Sequence, residues 1–235
     1  MKKFVLLFVV LSQPLMAQTV TFLEKNDTLQ KPKYQEFLFL NENTNLSFST
    51  KVATVQSSGS LKSVAALYEK IKSESQKLGA NSFRFLSFKK VSADAGELIL
   101  TVYFTPENIL GMNFENNPKN KVFIFGNENL ADPKTQSFKA DGEKFEIASG
   151  QFRTFTPRIG EELKISKGGF TGMTLWIKGQ EDKQATFLNF SGIGLAGAQY
   201  NPMPQSVGVN INTGKIHRME PNLALLLLNI YTEQQ

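Results

Sequence analysis

Two alternating runs, Thr135 to Ala140 and Lys144 to Ile147, flank the dipeptide Asp141-Gly142. A two-residue hairpin of type I′ needs positive φ at both central positions, and Asp-Gly is among the few pairs that accept it. An antiparallel hairpin is therefore expected here, and it constrains everything around it. From Lys121 onward the same grammar repeats, with strand-like runs and turn signals recurring at about eight to twelve residues, the spacing of a sandwich or barrel. Lys121 to Phe125, Phe152 to Thr156, Glu162 to Ile165, Met173 to Lys178 and Gln184 to Phe190 complete seven candidate strands, with a turn at Lys167-Gly168-Gly169. Val207 to Ile211 and Lys215 to Met219 then flank Asn212-Thr213-Gly214.

The first half reads differently. Tyr34 to Leu40 is a strand candidate, and Leu46 to Val55 sets Leu46, Phe48, Thr50 and Val52 against Ser47, Ser49, Lys51 and Ala53. Period two marks a half-buried strand. Gln56 to Gly59 reads as a loop and Ser60 as an N-cap. Leu61, Val64, Ala65, Tyr68, Ile71 and Leu78 follow at helical spacing, and Gly79 supplies a left-handed cap. Lys62, Glu69, Lys70, Lys72, Glu74 and Lys77 fall on the opposite face, which is expected to be solvated. Ala80 to Phe88 and Gly96 to Phe104, joined by a polar turn, predict an antiparallel hairpin closed by Pro106. Thr105 to Asn120, rich in Asn and Pro, predicts a boundary.

The expected fold is thus α+β. A small N-terminal α/β sandwich, one helix on an antiparallel sheet, covers residues 18–111, and an all-β sandwich with a C-terminal helix covers residues 112–235. The run Ala66 to Ile71 through Gln76-Lys77-Leu78-Gly79-Ala80-Asn81 resembles small bacterial envelope domains of unknown function, in which a basic helix ends in Leu-Gly-Ala-Asn and feeds a sheet. The second half, with an aromatic strand, an Asp-Gly hairpin and the turn Ser149-Gly150-Gln151-Phe152, resembles another bacterial family of unknown function with a β-sandwich. These resemblances imply fold and export, and carry over no site residue.

The start of the chain points the same way. Met1-Lys2-Lys3 is followed by the apolar run Phe4 to Leu11 and then Ser12-Gln13-Pro14-Leu15-Met16-Ala17. Such a run is far short of the ~20 residues that span a bilayer. It reads as a signal peptide over residues 1–17, cut between Ala17 and Gln18, with no Cys to carry a lipid. Without Lys2 and Lys3 the 26 basic residues become 24 against 21 acidic, a net +3. The signs are interleaved in both halves, as in Glu143-Lys144-Phe145-Glu146, so no polycationic patch for nucleic acid is expected.

Composition narrows the chemistry. With no Cys and one His there is no thiol nucleophile, disulfide framework or ordinary zinc ligand set, and neither a cofactor nor a metal is expected. Gly192-Ile193-Gly194-Leu195-Ala196-Gly197 matches the G-x-G-x-x-G spacing, but Pro202 and Pro204 deny the helix that gives that spacing meaning. His217, the one candidate imidazole base, lies in a strand beside Arg218 and is read as a surface or packing residue. The pairs Asp94 and Glu97, Glu161 and Glu162, and Glu181 and Asp182 sit in turns or at a strand start, whereas glycosidases need two carboxylates facing each other across a cleft. No catalytic residue is assigned.

Two features remain for recognition. Trp176, Tyr103 and Tyr200 are candidates for a sugar-binding face, although the 20 Phe, spaced like Phe83 and Phe85, read as core. After Glu220-Pro221-Asn222, the run Leu223 to Tyr231 predicts a terminal helix of about three turns, apolar nearly all round. One reading buries it against the domains; the other makes Leu223, Leu226, Leu227 and Ile230, with Trp176, an interaction surface for another envelope protein or a peripheral membrane contact. The expected role is that of an exported, noncatalytic binding or structural protein of the bacterial cell envelope, periplasmic or at the cell surface. The alternatives are a hydrolase of envelope glycans and a peripheral membrane protein without a membrane span.

Overall fold

The computed structural model describes residues 18–26, 36–168, 172–191 and 216–234, and the chain is mixed α+β, dominated by strands. In the first half β1 (Thr19–Lys25), β2 (Leu38–Phe39), β3 (Thr50–Ser60), β4 (Ser82–Lys90) and β5 (Ala95–Phe104) form one sheet in the order β1-β3-β5-β4-β2. Helix α1 (Val64–Lys77) lies on one face through Val64, Leu67, Tyr68 and Ile71, all fully buried. Gly79, at φ 92°, turns the chain out of the helix as its position predicts.

Four local features depart from the sequence reading. The helix is capped by Ser63, whose side chain accepts the Ala66 N–H at 3.1 Å, and not by Ser60. Ser60 belongs to β3, because Gln56 to Gly59 is strand and not loop, paired with β5 as far as Ser60 opposite Ala95. The ladder satisfies this polar backbone, and bare Gly59 admits Leu67, whose Cδ2 would lie 3.2 Å from any Cβ there. Strand β1, unforeseen, turns Val20 and Phe22 toward the core. Helix α2 (Glu107–Glu115) occupies the expected boundary. Its Asn-rich sequence has weak helix propensity, and tertiary contacts through buried Ile109 and Asn113 hold it.

All seven strands expected in the second half form, as β6 (Val122–Phe125), β7 (Thr135–Ala140), β8 (Glu143–Ala148), β9 (Gln151–Phe155), β10 (Glu162–Lys167), β11 (Met173–Lys178) and β12 (Thr186–Asn189). Asp141 and Gly142 take φ 49° and 90°, the positive pair the hairpin requires. After them come β13 (His217–Arg218), α3 (Pro221–Ile230) and β14 (Thr232–Glu233). Val207 to Ile211 lies outside the described residues. Two sheets result, β11-β10-β7-β8 and β13-β12-β6-β9-β14. Between them sits an apolar cluster of Val122, Ile124 and Leu188 against Phe138, Ile147, Ile165 and Ile177.

The other face of β6, β9 and β12 is equally dry. Phe123, Phe125, Phe152 and Phe187 point away from that cluster, into a core shared with the first sheet and with α1. Burial on both faces explains why β6 reads Val-Phe-Ile-Phe without alternation, and why β12 can lie parallel to it. One apolar cluster therefore draws residues from both sides of residues 111 and 112, where a domain boundary is expected from sequence.

Helix α3 is the wedge in that interior. Leu223, Leu226 and Leu227 are 1%, 0% and 0% exposed, so these three are core residues and not part of an interaction surface. They contribute on the order of 1.5–3 kcal/mol each by burial. Ile230 is partly buried against the same core. Glu220 caps the helix by accepting the Leu223 N–H at 2.6 Å, and Asn222 Oδ1 accepts the Phe39 N–H at 2.9 Å, tying α3 to β2. Among the described residues no helix is long and apolar enough to cross a membrane.

Candidate functional site

The sheet β11-β10-β7-β8 buries one face and leaves the other open. Because side chains alternate along a strand, the burial of Phe138, Ala140, Leu163, Ile165 and Ile177 sends Lys139, Lys164, Ser166, Thr174, Trp176 and Lys178 to the opposite side. Trp176, the single Trp of the chain, is 57% exposed in the middle of β11. A Trp on an open strand face is unusual, since its ring carries large apolar area that folding normally removes from water.

Register places cations around that ring. Lys164 is directly opposite Trp176, Ser166 is opposite Thr174, and Ser166 is in turn opposite Lys139 on the next strand. Directly paired residues have Cβ atoms about 5 Å apart, so ring, ammoniums and hydroxyls occupy one patch. Other charges on the face are partly matched. Lys178 stands opposite Glu162 in register, and Lys144 meets Glu146 at 3.3 Å. Lys139 and Lys164 have no side-chain ion pair among the described residues. Lys167 is different in kind, donating to the Ser137 carbonyl at 2.6 Å and lying 4.8 Å from the Phe190 ring centre. Partial burial pushes its ammonium pKa down.

Hollows elsewhere offer less. A cavity of about 400 Å³ beside the start of α2 is lined by Glu36, Asn81, Phe104, Thr105, Pro106, Glu107 and Leu110. Its size suits a small ligand. Asn81, however, is committed internally, donating to the Thr105 carbonyl and accepting the Thr105 N–H, each at 2.8 Å. A second hollow, about 10 Å³ between Asn120, Pro157, Ile177 and Thr186, has room for about one water.

The remaining candidates scatter. His217 sits in β13 opposite Asn189, half-buried, with Nδ1 enclosed and no hydrogen-bond partner for it among the described residues. Asp94 and Glu97 lie at the β4–β5 hairpin, Glu161 and Glu162 at the start of β10, and Glu181 and Asp182 between β11 and β12. No three His, Asp or Glu residues gather as a metal site among the described residues. Tyr103 is half-buried in β5, on a different sheet from Trp176. Residues 192–197 and Tyr200 lie outside the described residues.

Of the five residues expected at an interaction surface, Trp176 alone is exposed. Lys139 and Lys164 were not foreseen beside it. Alternation within their strands would have put both outward, but only strand pairing shows them adjoining Trp176. Compared with protein-family models, with curated proteins and with solved structures, the chain matches none.

Proposed function

We propose that this chain is an exported, noncatalytic binding protein of the bacterial cell envelope, and that it holds an acidic polysaccharide on the open face around Trp176. The observation that carries this is a solitary exposed Trp with Lys164 opposite it and Lys139 on the adjoining strand. An indole offers a flat apolar platform to the C–H face of a sugar ring. Ammonium groups without acidic partners attract sugar carboxylates, and the Ser166 and Thr174 hydroxyls can exchange hydrogen bonds with sugar hydroxyls. An extended polymer needs an open surface and not an enclosed pocket. Export is supported by the character of residues 1–17.

Titration with polygalacturonate, followed by Trp fluorescence, tests the reading. Binding should change the emission, weaken as salt rises, and fall by about tenfold or more in Lys139→Ala/Lys164→Ala, the change that ~1.4 kcal/mol produces. Neutral dextran should bind far more weakly. Equal response to both polymers, or binding that survives Trp176→Ala undiminished, would overturn the assignment.

A further inference from the structure

We infer that Gln18 is a modification site, where the chain released by cleavage after Ala17 closes its own first residue into a pyroglutamyl ring. The inference rests on the export reading above, which makes Gln18 the first residue of the mature chain. Its α-amine then lies on the same residue as its side-chain carboxamide. The amine attacks Cδ, a new N–Cδ bond completes a five-membered lactam, and the Cδ–Nε2 bond breaks. The leaving nitrogen takes a proton and departs as ammonia. No oxidant or second reactant is needed, and an intramolecular attack of this kind gains its rate from proximity.

The fold favours the closed form. Gln18 directly precedes β1, whose first pair is Thr19 with Ser58, so Gln18 stands across from Gly59. A Cβ on Gly59 would lie 2.7 Å from Gln18 Cγ, 3.4 Å from Gln18 Cα and 3.2 Å from Leu67 Cδ2. The side chain therefore lies flat over a bare glycine, on the core face beside Leu67. Gly59 is itself paired with Gly96, which extends that flat floor by one strand. Val20 and Phe22, on the same side of β1, pack against the core, and Gln18 is half-buried in line with them. Among the described residues no hydrogen bond ties the Gln18 carboxamide to another residue. Left open, this residue would lay a polar amide over the bare glycine beside Leu67, which is unfavourable. The ring is neutral and compact, and it has lost the amide's two donors.

The full chain should be expressed in an exporting bacterium, recovered from the periplasm and weighed intact, with fragmentation of its N-terminal peptide. A synthetic peptide of residues 18–26, carried through the same handling, controls for closure after isolation. The expected result is a chain that begins at residue 18 and lacks one ammonia, while most of the peptide stays open. A periplasmic chain that begins with open Gln18, or at another residue, overturns this inference and leaves export standing. A chain retaining residues 1–17 in the cytoplasm overturns both. Peptide and protein closing to the same extent would remove the role assigned to the fold.

Discussion

Glu128, in the loop after β6, accepts the hydroxyl hydrogen of Ser63 at 2.6 Å, so the residue that caps α1 is itself held by a carboxylate from the other half of the chain. Ser63 thus uses its oxygen twice, toward the Ala66 N–H and toward Glu128. Nearby, the Leu130 N–H donates to the Leu61 carbonyl at 2.9 Å. The loop after β6 is stitched to the start of α1 by backbone and side chain together.

Removing that cap should therefore cost more than an ordinary N-cap. Ser63→Ala is expected to lower stability by about 2 kcal/mol, beyond the typical ~1 kcal/mol, because a partly buried carboxylate loses its donor as well. Urea unfolding of the purified chain measures it, and a loss below about 0.5 kcal/mol would show that Glu128 re-pairs without cost.

The same carboxylate makes stability depend on pH. Burial raises the Glu128 pKa above its ordinary value, against the smaller opposing pull of the Ser63 hydroxyl and the Ala65 N–H. The folded chain then holds this proton more tightly than the unfolded one. That contribution is complete below the ordinary carboxylate pKa of about 4.3 and is lost as pH rises through the folded value. Between about pH 4 and pH 7 the wild type should lose stability relative to Glu128→Gln, which keeps an acceptor for Ser63 and cannot ionise. Glu69, also raised chiefly by burial, titrates in both chains and largely cancels in the difference. A difference that stays constant with pH would contradict the assignment.

Three glycines should respond to alanine in three different ways. Gly111, inside α2 with nothing within 4 Å of a Cβ, should gain up to about 1 kcal/mol from Gly111→Ala through helix propensity. Gly142 has equal space but φ 90°, so Gly142→Ala should lose about 1–2 kcal/mol from backbone strain alone. At Gly126 a Cβ would fall 1.9 Å from the Ala148 carbonyl oxygen, and backbone cannot yield as a side chain can. Gly126→Ala should cost more than about 3 kcal/mol or abolish soluble expression. Thermal denaturation of the three variants gives the order directly, and any other order would show that the turn or the contact relaxes.

Asn113 fastens α2 to the chain after β2. Its Oδ1 accepts from the Asn41 N–H at 2.8 Å and the Thr44 hydroxyl at 2.6 Å, while its Nδ2 donates to the Phe39 carbonyl at 2.8 Å. Asn113→Ala leaves these groups buried and unpaired, at an expected cost of about 2–4 kcal/mol. Thr44→Val removes a single donor and should cost about 1 kcal/mol. Equal losses in the two variants by urea unfolding would mean that the contacts do not act through Asn113.

The shared core predicts cooperative unfolding. Leu226→Ala should cost about 2–5 kcal/mol, and its transition should coincide whether followed by Trp176 fluorescence, in the second half, or by circular dichroism, to which α1 of the first half contributes as the longest helix. Separate transitions would mean that the two halves unfold independently despite the core between them.

What was readable in the sequence is what local stereochemistry decides. Asp141-Gly142 accepts positive φ, Gly79 ends a helix, and alternation in the second half marks strands, because each depends on a few adjacent residues. Strand β1 was not read from the sequence, because the spacing of Val20 and Phe22 is only a short apolar pattern until β3 pairs with it. Helix α2 was not legible, since Asn113 stabilises it through partners at Phe39, Asn41 and Thr44.

The candidate site divides in the same way. That Trp176 stands alone is a property of the amino-acid string, and strand alternation already separates it from Leu175 and Ile177. Its neighbours Lys164 and Lys139 depend on register across three strands, which hydrogen bonds between distant segments set. For Leu223, Leu226 and Leu227 the string determined only that the helix has no polar face. Whether such a helix meets water, lipid or protein depends on what surrounds it, and here two sheets enclose it.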